Sequence, residues 1–185
     1  MLKCISDWDR WIEQTKDTMP SVKLADIYET SPGRKMLIKP YETSDDEYAE
    51  NWKNAVYKGK EFAADAPEIY SESGIRVRSK SEKIIADKLS ILGIPFRYEY
   101  PLKLQGYGVV YPDFFLLNKR TRKEYILEHF GMMDDADYSR NAVKKITLYA
   151  KNGYIPGVNL LATFETTDTP FDVRMFEKMM ETVLR

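Results

Sequence analysis

An α/β fold built around one short hairpin follows from three features of the chain. Two apolar runs, 109–117 and 125–130, flank a polar turn at 118–123, as two buried strands joined by a six-residue connection would. The stretch 79–92 repeats apolar residues at helical spacing and ends in Gly93 and Pro95. A second helical stretch runs from Asp134 or Asp135 to Asn152 and stops at Gly153. With a strand through Phe96, Tyr98 and Tyr100, another at 158–164 and a last helix after Thr169-Pro170, the order from Ser79 is α-β-β-β-α-β-α.

Composition sets the bounds. A chain of 185 residues with 43% hydrophobic and 13% aromatic content can bury a real core and is not a disordered segment. It has no apolar run of about twenty residues, and residues 1–20 lack the apolar centre of a signal peptide, which predicts a cytoplasmic protein with no membrane span. The single cysteine, Cys4, excludes an internal disulfide framework and a cysteine-rich zinc site.

The net charge of −1 hides an asymmetry: residues 1–73 hold 10 Lys/Arg against 15 Asp/Glu, and residues 74–167 hold 15 against 10. Together with the change in patterning, this divides the chain into an N-terminal, mostly helical and irregular extension at 1–73 and an α/β domain at 74–185. The domain's basic balance suits a polyanionic partner.

In the extension, 5–19 spaces Ile5, Trp8, Trp11 and Ile12 as one helix would, and 21–41 reads as loop. Ser44 opens a helix through a capping box with Glu47, placing Tyr48, Trp52, Ala55 and Val56 on one face. Residues 58–72 read as a linker or an ordered wrap. Trp8, Trp11 and Trp52 read as core or docking residues, with base stacking as the alternative.

Each central strand carries an acid where an apolar residue is expected, Asp113 in YPDFF and Glu128 in YILEHF. A buried carboxylate is costly unless it is paired, hydrogen-bonded or bound to a cation. Glu82 shares a helix face with Ile85, Ala86 and Leu89, and Lys145 falls within the arc of Ala142, Ile146 and Tyr149. Ser79-x-x-Glu82 is also a capping box, so Glu82 has two readings, a helix cap and a site-facing acid. Three carboxylates are hard oxygen ligands suited to Mg²⁺ or Mn²⁺. Lys145 would orient a water or offset phosphate charge, while Arg76, Arg78, Lys80, Arg120, Arg122 and Lys123 would hold backbone phosphates.

These residues resemble the PD-(D/E)xK nuclease superfamily, the restriction-endonuclease-like proteins. The resemblance rests on Tyr111-Pro112-Asp113, on Glu128 after a hairpin and on the α-β-β-β-α-β order, over about residues 79–166. The form Glu128-His129-Phe130-Gly131 is similar to a variant found in uncharacterised bacterial and phage proteins. The resemblance implies a metal-dependent nuclease acting on nucleic acid, with DNA as the expected substrate. It implies that Asp113, Glu128 and the main-chain carbonyl of His129 bind Mg²⁺ and that Glu82 completes or buttresses the site. The family's lysine, two residues after the second acid, is replaced here by Phe130, and Lys145 is the expected substitute. The rival expectation is an inactive module of the same fold that binds nucleic acid or a protein partner, alone, as a homodimer or in a larger assembly. His129, the only histidine, should point away from Glu128 on a regular strand, and a bulge would turn it into the site. Asp134, Asp135 and Asp137 read as helix-capping charges.

Overall fold

Pro112 divides what the apolar pattern of 109–117 presents as one strand. It has no N–H to give to a ladder, and in the computed structural model, which describes residues 43–184, the run is two strands on either side of it. In chain order the elements are α1 (Asp45–Lys53), β1 (Ile69–Tyr70), β2 (Arg76–Val77), α2 (Lys80–Ile91), β3 (Phe96–Tyr98), β4 (Leu102–Leu104), β5 (Gly108–Val110), β6 (Phe114–Leu117), β7 (Glu124–Phe130), α3 (Ala136–Lys151), β8 (Leu160–Phe164) and α4 (Val173–Leu184). β5 pairs with β4 in a separate hairpin, and β6 joins the main sheet.

That sheet is mixed, in the order β3-β6-β7-β8, with β7 antiparallel to β6 and parallel to β8. Successive side chains alternate between its faces. Phe114, Leu116, Leu127 and Leu161 pack with Ile85, Ala86 and Leu89 of α2 and Phe176 and Met180 of α4. Phe115, Leu117, Ile126 and Leu160 pack with Trp52 of α1 and Tyr149 of α3. The sheet thus lies between two helical layers, an α/β architecture. Each fully buried Leu, Ile or Phe in these layers contributes about 1.5–3 kcal/mol.

The helices begin where capping chemistry places them. The side chains of Ser44, Ser79 and Asp135 accept from the amides of Glu47, Glu82 and Tyr138. Gly93, just beyond α2, has φ +66°, the left-handed conformation that glycine adopts without a Cβ penalty. The last helix starts at Val173 instead of at Pro170, because Asp172 Oδ1 accepts from the amides of Arg174 and Met175 and caps it there.

The boundary expected at 73/74 lies inside a unit that spans Ser44–Arg185. Trp52 is buried, stacks on Phe115 and donates its indole N–H to Glu124 Oε1 at 2.6 Å. Arg97 donates to the Trp52 carbonyl and lies over its ring, which fastens α1 to the sheet. Residues 58–72 form an ordered wrap: Phe62 packs against the core and β1 pairs with β2. Trp8, Trp11 and the helix expected at 5–19 lie outside the described residues.

Candidate functional site

The β6–β7 pairing ends at Phe114↔Leu127, and the site lies just past that end. Ile126 donates its amide to Asn159, and Phe130 accepts from Glu165, so even-numbered residues of β7 turn their main-chain groups toward β8. The odd-numbered residues then face the β6 side. His129 therefore presents its N–H where β6 no longer runs, and Asp113 Oδ2 accepts that N–H at 2.8 Å. The His129 carbonyl points to the same side, as the main-chain groups of one strand residue do.

Glu128 projects from the sheet face covered by α3. It is 1% exposed, and both its oxygens are engaged at 2.6 Å, Oε2 by Lys145 Nζ and Oε1 by the Tyr149 hydroxyl. The 3.6-residue period of α3 sets Lys145 and Tyr149, four apart, above the same point of the sheet. Phe130, the position where a lysine would be expected, is buried and stacks on Phe164. Lys145 thus reaches the Glu128 carboxylate from the helix. Asp113, Glu128, His129, Phe130, Tyr138, Asn141, Ala142 and Lys145 line one open pocket.

Charge in this pocket is not balanced. Burial first, and then the negative charge of Glu128, hold Asp113 well above the usual carboxylate range, with Lys145 and the His129 amide opposing the shift. Burial also raises Glu128, while Lys145, Tyr149 and a hydrogen bond with the Asp113 carboxyl pull it down. Burial alone would lower Lys145, but the charges of Glu128 and Asp113 outweigh it and keep the amine protonated. Two carboxyl groups share one ammonium, so the pocket favours a further cation or a retained proton.

The donor set fits a hard cation: Asp113, Glu128 and the His129 carbonyl offer only oxygen. Among the described residues no group of three or more His, Cys, Asp or Glu side chains could hold a metal. A divalent ion here would draw its remaining ligands from water and substrate, the usual arrangement for Mg²⁺.

Glu82 does not line this pocket, although its charge adds to the upward shift of Asp113. Its oxygens accept from Tyr98 Oη at 2.6 Å, the Arg78 amide at 3.0 Å and Ser79 Oγ at 3.0 Å, which holds it at the start of α2. His129 points to the opposite face, as strand alternation requires: Nδ1 lies 2.9 Å from Thr163 Oγ1, Nε2 lies 3.4 Å from Glu165 Oε1, and the ring packs edge-on against Phe171. Asp135 caps α3, Asp134 accepts from Thr167, and Asp137 pairs with Arg140.

The expected phosphate-binding cations are not gathered at the pocket. Arg78 is forked onto Glu99, Arg76 donates to the Ala66 carbonyl, and both guanidinium groups lie over Phe62. Arg122 pairs with Asp45 and covers Tyr48. Arg120, Arg122 and Lys123 sit in the β6–β7 turn, four or more strand residues from Glu128, hence beyond about 13 Å. Lys80 is exposed at the start of α2.

Three side chains at the site carry no chemistry in the sequence reading: Tyr138 and Asn141, which line the pocket, and Tyr149, which bonds Glu128 from behind it. Tyr149 reads there as core; its place four residues after Lys145 is the signal that both reach the same carboxylate. Tyr138 and Asn141 have no comparable signal, since a half-buried tyrosine and an exposed asparagine early in a helix are ordinary. No family model matches the chain, and neither curated proteins nor solved structures match it significantly.

Proposed function

We propose that the unit from Ser44 onward is a metal-dependent nuclease domain with a restriction-endonuclease-like core, hydrolysing phosphodiester bonds of DNA. One observation carries this reading: Asp113 just before β6, Glu128 of β7 and Lys145 of α3 meet in one open pocket that holds two carboxyl groups and one ammonium. The order α2, β3, β6, β7, α3, β8 supports it as well.

Asp113, Glu128 and the His129 carbonyl would hold Mg²⁺ or Mn²⁺, which supplies Lewis acidity and a water of lowered pKa when bound. The chain's own groups then divide the work. Tyr149 and Lys145 fix the rotamer of Glu128, and the His129 amide fixes that of Asp113. Lys145 remains protonated and so acts on the developing phosphate charge and not as a base. Water attack forms one P–O bond as the ester P–O bond breaks; the proton the water loses passes to solvent, and the leaving oxygen takes one up from it.

A second reading, an inactive module that binds nucleic acid or protein, is favoured by Phe130 and by Glu128 having both oxygens already engaged. Asp113→Ala and Glu128→Ala separate the two. In the full chain with Mn²⁺ or Mg²⁺, each is expected to lower DNA cleavage by at least about 100-fold while the circular dichroism spectrum stays native. Full cleavage by either folded variant rules out the nuclease reading. Wild type that binds DNA but never cleaves it supports the second.

A further inference from the structure

The pocket has an acidic floor and a rim of hydrogen-bond donors. Tyr138, Asn141 and Lys145 fall within an arc of about 60° on α3, and Lys144 follows about 60° beyond Asn141. Tyr138 Oη accepts the Gly131 amide at 3.3 Å, and its own proton has no acceptor among the described residues. The Asn141 carboxamide and the Lys144 ammonium are exposed and likewise unpartnered among them. The one anion on this side of the helix, Asp137, is paired with Arg140. The Tyr138 hydroxyl also lies within the field of Asp113, Glu128 and Lys145, which places it at the mouth of the pocket.

We infer that this rim, Tyr138, Asn141 and Lys144 of α3, holds the DNA phosphodiester backbone beside the Asp113–Glu128 pair. Hydroxyl, carboxamide and ammonium are the side-chain donors that phosphate oxygens take in position-fixing contacts. Tyr138 and Lys144 are about 9 Å apart along the helix axis, enough to engage more than one phosphate. The floor repels a phosphate unless a cation lies between them, whereas the rim attracts it, so the strand approaches along α3. The cation-rich turn at 118–123 lies at the far end of β6 and β7. The inference rests on the nuclease reading for its neighbouring site, but its test reads binding and not turnover.

The test uses the full chain and fluorescein-labelled single-stranded and duplex DNA, followed by anisotropy in EDTA between 50 and 200 mM salt. Lys144→Ala is expected to weaken binding about three- to ten-fold at the lower salt and to reduce the salt slope by about 1. Asn141→Asp, which places an anion on the rim, is expected to weaken it further. Lys178→Ala on α4, on the opposite side of the sheet, removes the same charge and should change neither quantity. Wild-type affinity and slope in both rim variants overturn the inference, as does a wild type that binds neither DNA, whether in EDTA or after Ca²⁺ is added. Rim-dependent binding without Asp113-dependent cleavage keeps this surface and removes the catalytic reading; Asp113-dependent cleavage with binding indifferent to the rim does the reverse.

Discussion

Two groups of acids lie within the same unit, and their surroundings treat them differently. Glu99 is 6% exposed and receives both arms of Arg78, Nε at 2.6 Å and Nη2 at 3.0 Å, a bidentate fork that matches charge to charge. Glu82 beside it accepts from a hydroxyl of Tyr98, a hydroxyl of Ser79 and an amide. Asp113 and Glu128 have one ammonium between them, and Asp113 is held well above the ordinary carboxylate range, first by burial and then by the charge of Glu128. The matched group closes on itself; the mismatched group opens into a pocket. The two are connected, because the Glu99 amide donates to the Asp113 carbonyl at 3.1 Å. Glu99 does so from a left-handed backbone at φ +48°, a strained conformation for glutamate that the Arg78 fork helps to hold. A buried charge with a full set of partners is scaffold, while one left short of them marks a place for chemistry.

Substitutions can break this contrast, and the largest effect belongs to the scaffold. Arg78→Ala leaves Glu99 buried without its fork and is expected to cost about 3 kcal/mol in urea unfolding. A loss below about 0.5 kcal/mol, the level of ordinary surface substitutions, means that the fork is ornamental.

Asp113→Asn should act in the opposite direction. A carboxyl whose folded pKa lies above its unfolded value binds its proton more tightly when folded. Wild-type stability therefore falls as pH rises from the ordinary carboxylate value, about 3.9, towards the raised folded one. The variant lacks that loss and keeps an acceptor for the His129 amide. It should be more stable than wild type at neutral pH, by on the order of 1 kcal/mol, with the gap closing in acid. Mn²⁺ should raise the wild-type Tm by binding the folded state and leave that of the variant unchanged. Equal stability at every pH, or an equal Mn²⁺ response, refutes the charge imbalance at Asp113.

The smallest effect sharpens the division. Glu82→Gln removes one acceptor from the cap and should cost roughly 0.5–1 kcal/mol while leaving the Mn²⁺ shift intact. Loss of that shift would make Glu82 a ligand and merge the two groups.

What could be read from the sequence follows the range of the forces involved. Ser44, Ser79 and Asp135 announce their helices because a cap bonds within three residues, and Gly93 and Gly153 mark helix ends through local backbone freedom. The two acids stand out because a carboxylate in an apolar strand violates the local pattern, and alternation along β7 is enough to send Glu128 and His129 to opposite faces. Pro112 carries its own signal, yet the β-branched and aromatic run around it hides the break. Helical phase alone puts Lys145 on the inner arc of α3; that it meets Glu128 depends on how α3 lies across the sheet.

By itself, then, the sequence determined the α/β class, the starts of the three capped helices, the unusual acids in two neighbouring apolar runs and the opposite faces of Glu128 and His129, all consequences of bonds and periods a few residues long. Tertiary structure alone decided which charges find partners. It gave Glu99 the Arg78 fork, kept Glu82 at its cap, moved the basic turn to the far end of the strands and set one lysine between two carboxyls. Pairing of charges distant in the chain depends on where elements pack, and an electrostatic contact a few ångströms long has no signature in the spacing of residues tens of positions apart.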